Sequence, residues 1–106
     1  MLNISVSAEG EVLTVRLEGK LDTTSSPELE KVLRENLDST SRLILDMSAL
    51  LYVSSAGLRV LLSAQKTMSA KNGLIVRNPS ENVMEIFDVT GFSDILVFEQ
   101  QDRQRA

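Results

Sequence analysis

A chain of 106 residues, 42% apolar and 25% charged, has room for one core and one site region, because compact domains run to about 100–150 residues. A net charge of −4, no His, no Cys and only three Phe and one Tyr exclude His-dependent triads, thiolate chemistry and the usual zinc sites. They also leave neither a basic field nor a stacking surface for nucleic acid.

Leu2, Ile4 and Val6, then Leu13, Val15 and Leu17, alternate with polar residues on either side of Glu9-Gly10-Glu11, which predicts an antiparallel hairpin. Gly19-Lys20-Leu21-Asp22-Thr23-Thr24 leads to Ser25-Ser26-Pro27-Glu28, where a Ser cap, a Pro in the first turn and an acidic residue open a helix. Its buried stripe is Leu29, Val32, Leu33 and Leu37, with Glu30 and Arg34 paired outside and an end near Asp38-Ser39. Leu43-Ile44-Leu45 is a buried strand, and Asp46 to Ser54 reads as a connecting loop organised by local hydrogen bonds of Asp46 and Ser48.

A second helix runs from Ser55 or Ala56 to Lys71, with Leu58, Leu61, Leu62, Gln65 and Met68 inward, Lys66 and Lys71 solvated, and Asn72-Gly73 as its left-handed stop. Leu74-Ile75-Val76 is the next strand. Asn78-Pro79-Ser80-Glu81 opens a third helix with Asn78 as cap, Val83, Ile86 and Phe87 inward and Thr90-Gly91 at its end. Ile95 to Phe98 is the last strand. Met47, Met68 and Met84 read as core filler.

The order β-β-α-β-α-β-α-β implies a single α/β domain over residues 1–99 with a polar tail, 100–106, expected to fray. Its mixed sheet has four to five strands, with an N-terminal hairpin and three or four helices. No apolar run approaches the roughly 18–20 residues of a membrane helix, and Met1 to Gly10 lacks the features of a signal peptide. A cytoplasmic monomer with no membrane partner is expected.

Strand ends meet helix starts at Asp22-Thr23-Thr24, Asp46 and Ser54-Ser55, the edge where ligands gather on open α/β sheets. Ser54-Ser55-Ala56-Gly57 is the richest segment there, and two readings of it stand. A Ser just before an amphipathic helix is ordinarily a cap worth about 1 kcal/mol. It is also a hydroxyl that another protein can modify, and a phosphate of about −1.5 to −2 charges is well tolerated at a helix start. Without His or another activating base in the segment, neither serine is a nucleophile. Asp22 and Asp46 are carboxylates that no catalytic motif unites. A non-enzyme with no cofactor is expected.

The run from Leu43 to Leu58, LILDMSALLYVSSAGL, resembles the signature of STAS domains: an apolar strand, Asp-x-Ser, a short loop, then Ser-(Ser/Thr/Ala)-Gly-Leu entering a helix. Gly19-Lys20-Leu21-Asp22 is similar to the family's Gly-x-Leu-Asp element, and Val83 to Phe92 to its third helix. The resemblance covers nearly the whole chain. It implies a stand-alone anti-sigma-factor antagonist in a partner-switching pathway. The unphosphorylated form would bind an anti-sigma factor that is also a serine kinase and so free the sigma factor. Phosphorylation at Ser55 would release it, and a PP2C-type phosphatase would restore binding. ATP and Mg²⁺ would belong to the kinase. The implied partner surface comprises Asp22, Thr23, Thr24, Ser54, Ser55, Ala56, Gly57 and Leu58. Well-matched antagonists often carry Asp where this chain has Ser54, so Ser54 stands beside Ser55 as a candidate. A STAS adapter that binds its partner constitutively is the alternative.

Overall fold

The computed structural model describes residues 1–100. Alternation on both sides of Gly10 produces β1 (Leu2–Glu9) and β2 (Val12–Leu21), paired antiparallel from Leu2 opposite Gly19 to Glu9 opposite Val12. There follow α1 (Ser26–Asn36), a 3-10 turn (Leu37–Ser39), β3 (Arg42–Val53), α2 (Ser55–Ser69) and β4 (Leu74–Arg77). The fold closes with α3 (Glu81–Thr90), a second 3-10 turn (Phe92–Asp94) and β5 (Val97–Glu99). The five strands lie in chain order, and β2 through β5 are parallel. The expected mixed α/β sheet with its opening hairpin is therefore the observed one, with three α-helices among the described residues.

Parallel neighbours require helical crossovers, and one hand of crossover carries the chain steadily across the sheet. The covered face is marked by buried alternate residues: Leu13, Val15 and Leu17 on β2, Leu43, Leu45 and Met47 on β3, Leu74 and Val76 on β4. Against them pack Leu29 and Leu33 of α1, Leu58, Leu61 and Met68 of α2, and Val83 and Phe87 of α3. Met47 and Met68 are fully buried and Met84 packs at the margin, as core filler should. Phe87 meets Phe92 and Phe98 with ring centroids 6.5 and 5.7 Å apart, which joins the end of α3 to β5.

The structure corrects several expectations. Residues 46–53 are not loop: β3 continues to Val53. Opposite β2 it carries one extra residue between Asp46 and Ala49 and another between Leu50 and Tyr52, and each bulge breaks the alternation by which a strand is read. Inside the first bulge, Asp46 Oδ1 accepts the Ser48 amide at 3.0 Å and the Ser48 hydroxyl at 2.9 Å. The local hydrogen bonds expected of these two residues exist, but they shape a strand.

The cap of α3 is Ser80, whose Oγ accepts from the Val83 amide at 3.2 Å, and not Asn78, which sits at φ 54° before Pro79. Ser25 occupies the cap position of α1 without a side-chain cap bond. α2 stops at Ser69, with Gly73 at φ 96° beyond it. Lys71 is not simply solvated: its Nζ donates to the carbonyls of Leu37 and of Thr40, the latter at 2.9 Å. Ile95 and Leu96 belong to the turn before β5 rather than to the strand. The tail expectation falls, apart from Gln100, outside the described residues.

Candidate functional site

The site forms where β2 ends and α2 begins. The Ser54 amide donates to the Leu21 carbonyl at 2.8 Å, which pins the entry to α2 against the last residue of β2. Ser54 is then the helix cap: its Oγ accepts from the Gly57 amide at 3.2 Å, and its carbonyl accepts from the Leu58 amide at 2.9 Å. A β-carbon at Gly57 would stand 2.8 Å from Leu21 Cγ and 3.1 Å from the Leu21 carbonyl oxygen. The motif glycine is therefore demanded by the close approach of helix and strand.

Of the two motif serines, only one is consumed in this way. Ser55 is the first residue of α2, its side chain is exposed, and its hydroxyl engages no partner among the described residues. Ala56 is half-buried beside it. Gly57 and Leu58 are buried, so they support this surface from beneath and present no side chain to a partner.

Asp22 is occupied locally. Its Oδ1 accepts from the Thr24 amide at 3.1 Å, the Ser25 amide at 3.0 Å and the Ser25 hydroxyl at 3.0 Å. The Ser25 amide, then the Ser25 hydroxyl, hold its carboxyl below the usual carboxylate range, because donors favour the ionised form. Buried Ser25 completes the turn: its single hydroxyl proton is shared between Asp22 Oδ1 and the Lys20 carbonyl, 2.9 Å away, and its Oγ accepts from the Asp22 amide at 2.9 Å. Asp22 thus fixes the β2–α1 connection and leaves Thr23 and Thr24 exposed. Thr23 reaches the site: with Ser26 and Glu30 it lines an open groove between α1 and α2, faced by Ala56 and Arg59.

The structure brings Thr23, Ser54, Ser55 and Ala56 to one edge. Asp46 belongs to a different place, in the β3 bulge next to Arg16 on β2, so the carboxylate pair considered above does not share a pocket with a nucleophile. Three residues escaped the sequence reading. Leu51 and Tyr52, 58% and 44% exposed, lie on the last turn of strand before Ser54; a loop assignment hid them, although two large apolar residues outside any periodic stripe were the available signal. Arg59 stands four positions after Ser55 on the same helix, a spacing visible in the chain itself. No helix among the described residues is long and apolar enough to cross a membrane.

With this geometry in view, residues 3–103 match the family model of the STAS domain. The chain belongs to the STAS domain family. A relative from Bordetella bronchiseptica, BtrV, provisionally named an anti-sigma factor antagonist, is 34% identical over 86 residues, spanning 79% of this chain and 74% of the relative. The anti-sigma-B factor antagonist of Staphylococcus aureus is 27% identical over 97 residues, 90% of each chain. Among solved structures, SpoIIAA in its unphosphorylated form superposes with a TM-score of 0.81 at 19% identity, over 96% of this chain and 90% of that one. Its phosphorylated form gives 0.75 at 18%, over 96% and 94%. The STAS fold assigned from the sequence is thus the observed fold.

Proposed function

We propose that this STAS protein is an anti-sigma-factor antagonist whose affinity for its partner is switched by phosphorylation of Ser55. The observation that carries the reading is the division of labour between the two serines. Ser54 is half-buried and spent as the cap of α2, its Oγ occupied by the Gly57 amide, whereas Ser55 is exposed and unengaged. The names of the relatives support the class of function, and SpoIIAA, whose fold this chain shares, is described in both unphosphorylated and phosphorylated forms. The partner is an anti-sigma factor with serine kinase activity, which brings its own ATP and Mg²⁺, and a PP2C-type phosphatase reverses the modification. The antagonist itself performs no catalysis and works in the cytoplasm.

The mechanism is electrostatic. Exposed Leu51 and Tyr52 lie near the end of β3, just before the chain enters α2 at Ser55, and phosphate adds about −1.5 to −2 charges at that entry. Desolvating this charge against a partner costs several kcal/mol unless the partner supplies a cation. Incubation with the cognate kinase and ATP–Mg²⁺, followed by intact mass measurement, is expected to give one added phosphate that Ser55→Ala abolishes. Ser55→Asp is expected to weaken partner binding at least about tenfold, or 1.4 kcal/mol, while Ser55→Ala retains it. A chain that stays unmodified and binds equally well in all three forms is a constitutive adapter, and the switch reading fails.

A further inference from the structure

We infer that Arg59 is the internal counter-charge of the modified protein, closing over a phosphate on Ser55 and holding it against α2; this rests on the reading of Ser55 above. The two residues are four apart on one helix, which puts their β-carbons on the same face about 5–6 Å apart. Side chains in a helix lean toward its N-terminal end, so the long Arg59 side chain reaches back over the turn that holds Ser55 and Ala56. Arg59 lines one groove with Ala56, the residue that follows Ser55.

The guanidinium is available. Among the described residues the ion pairs are Arg16–Glu18, Arg34–Glu30 and Arg77–Glu99, and Arg59, exposed on α2, belongs to none of them. The carboxylate facing it across the groove, Glu30, lies 3.9 Å from Arg34 on its own helix. Asp22, at the end of β2, has its Oδ1 committed to Thr24 and Ser25. Arg59 is therefore a positive charge that none of these ion pairs takes up, while ionised Asp22 keeps its own negative charge. A phosphate adds about −1.5 to −2 charges beside Arg59, and the planar fork of Arg binds phosphate in two parallel hydrogen bonds, which a lysine cannot reproduce. Pairing of this kind fixes the orientation in which phosphate meets the partner and the phosphatase.

The test installs phosphoserine at position 55 by genetic encoding and follows the phosphate by phosphorus NMR through a pH titration. Its second pKa, ordinarily about 6, is expected to lie about 0.2–0.4 unit lower in the native chain than in Arg59→Gln, with Arg59→Lys intermediate. Arg42→Gln, which removes the same charge at the opposite end of β3, is expected to leave the phosphate pKa unchanged, and circular dichroism checks that each variant is folded. Equal phosphate pKa values in the native chain and Arg59→Gln overturn the inference, as does a shift in Arg42→Gln equal to that in Arg59→Gln. Because phosphoserine is introduced without a kinase, failure of any kinase to modify Ser55 would overturn the reading of that serine and leave the Arg59 result intact.

Discussion

At the level of single residues, two adjacent serines with the same side chain do different work because they occupy different positions of one helix start. Ser54, in extended conformation before α2, satisfies the Gly57 amide that the helix leaves without an internal partner. Ser55, one position on, has no such amide to serve. Thermal or urea unfolding is therefore expected to find Ser54→Ala destabilised by about 1 kcal/mol and Ser55→Ala within about 0.5 kcal/mol of the native chain. The reverse order would make Ser55 the cap and remove the ground for treating it as the modifiable hydroxyl. The motif by itself located the pair and left their roles open, since local spacing does not say which of two consecutive serines adopts the extended backbone. Asp22 illustrates the same limit. Its type and place suggested a partner-facing carboxylate, and only the fold reveals that Ser25 and Thr24 hold one of its oxygens.

At the level of elements, helices and short buried strands were legible because their apolar periods are intact: α1 buries Leu29, Leu33 and the following Leu37, and β4 buries Leu74 and Val76. β3 was legible only as far as Leu45, because two bulges beyond it displace its side chains from strict alternation. Lys71 looked like surface because sequence cannot reveal that the carbonyls ending the first crossover, those of Leu37 and Thr40, come within its reach. The seam between β2 and α2 was anticipated only as a glycine in a motif. Its physical content is the Leu21 side chain and carbonyl lying where a Gly57 β-carbon would go. Gly57→Ala is thus expected to cost about 1–3 kcal/mol in unfolding experiments, the range for overpacking a tight site. Because the backbone carbonyl is among the obstructing atoms, the Leu21 side chain cannot relieve the strain alone. A Leu21→Ala, Gly57→Ala double variant is expected to lose less than the sum of the two single changes, because the Leu21 Cγ and Cδ2 that approach closest are gone, yet to stay below the native chain, because the carbonyl contact persists and a core residue is removed.

For the whole molecule, a switch of this design must change what the surface offers while the scaffold stays still. Its parts are suitably separated. The core on the covered face, with Leu17, Leu45, Leu61 and Phe87 all fully buried, involves no atom of the exposed Ser55 side chain. The cap that starts α2 belongs to Ser54. Adding about −2 to a chain of net charge −4 raises self-repulsion only modestly, since exposed charges beyond about 8–10 Å are screened at physiological salt. The helix start, with its unpaired amides, stabilises a nearby anion by about 0.3–1 kcal/mol, which opposes that repulsion. The two small terms leave phosphorylation nearly neutral for folding. For a domain of this size 1 kcal/mol moves Tm by roughly 4–8 °C. The phosphorylated protein is therefore expected to melt within about 5 °C of the unmodified form in differential scanning calorimetry while losing at least about tenfold in partner affinity. A larger fall in Tm, matched by loss of near-ultraviolet circular dichroism, would mean that the modification works by loosening α2, and the partner would then be reading order in the helix rather than charge on its surface.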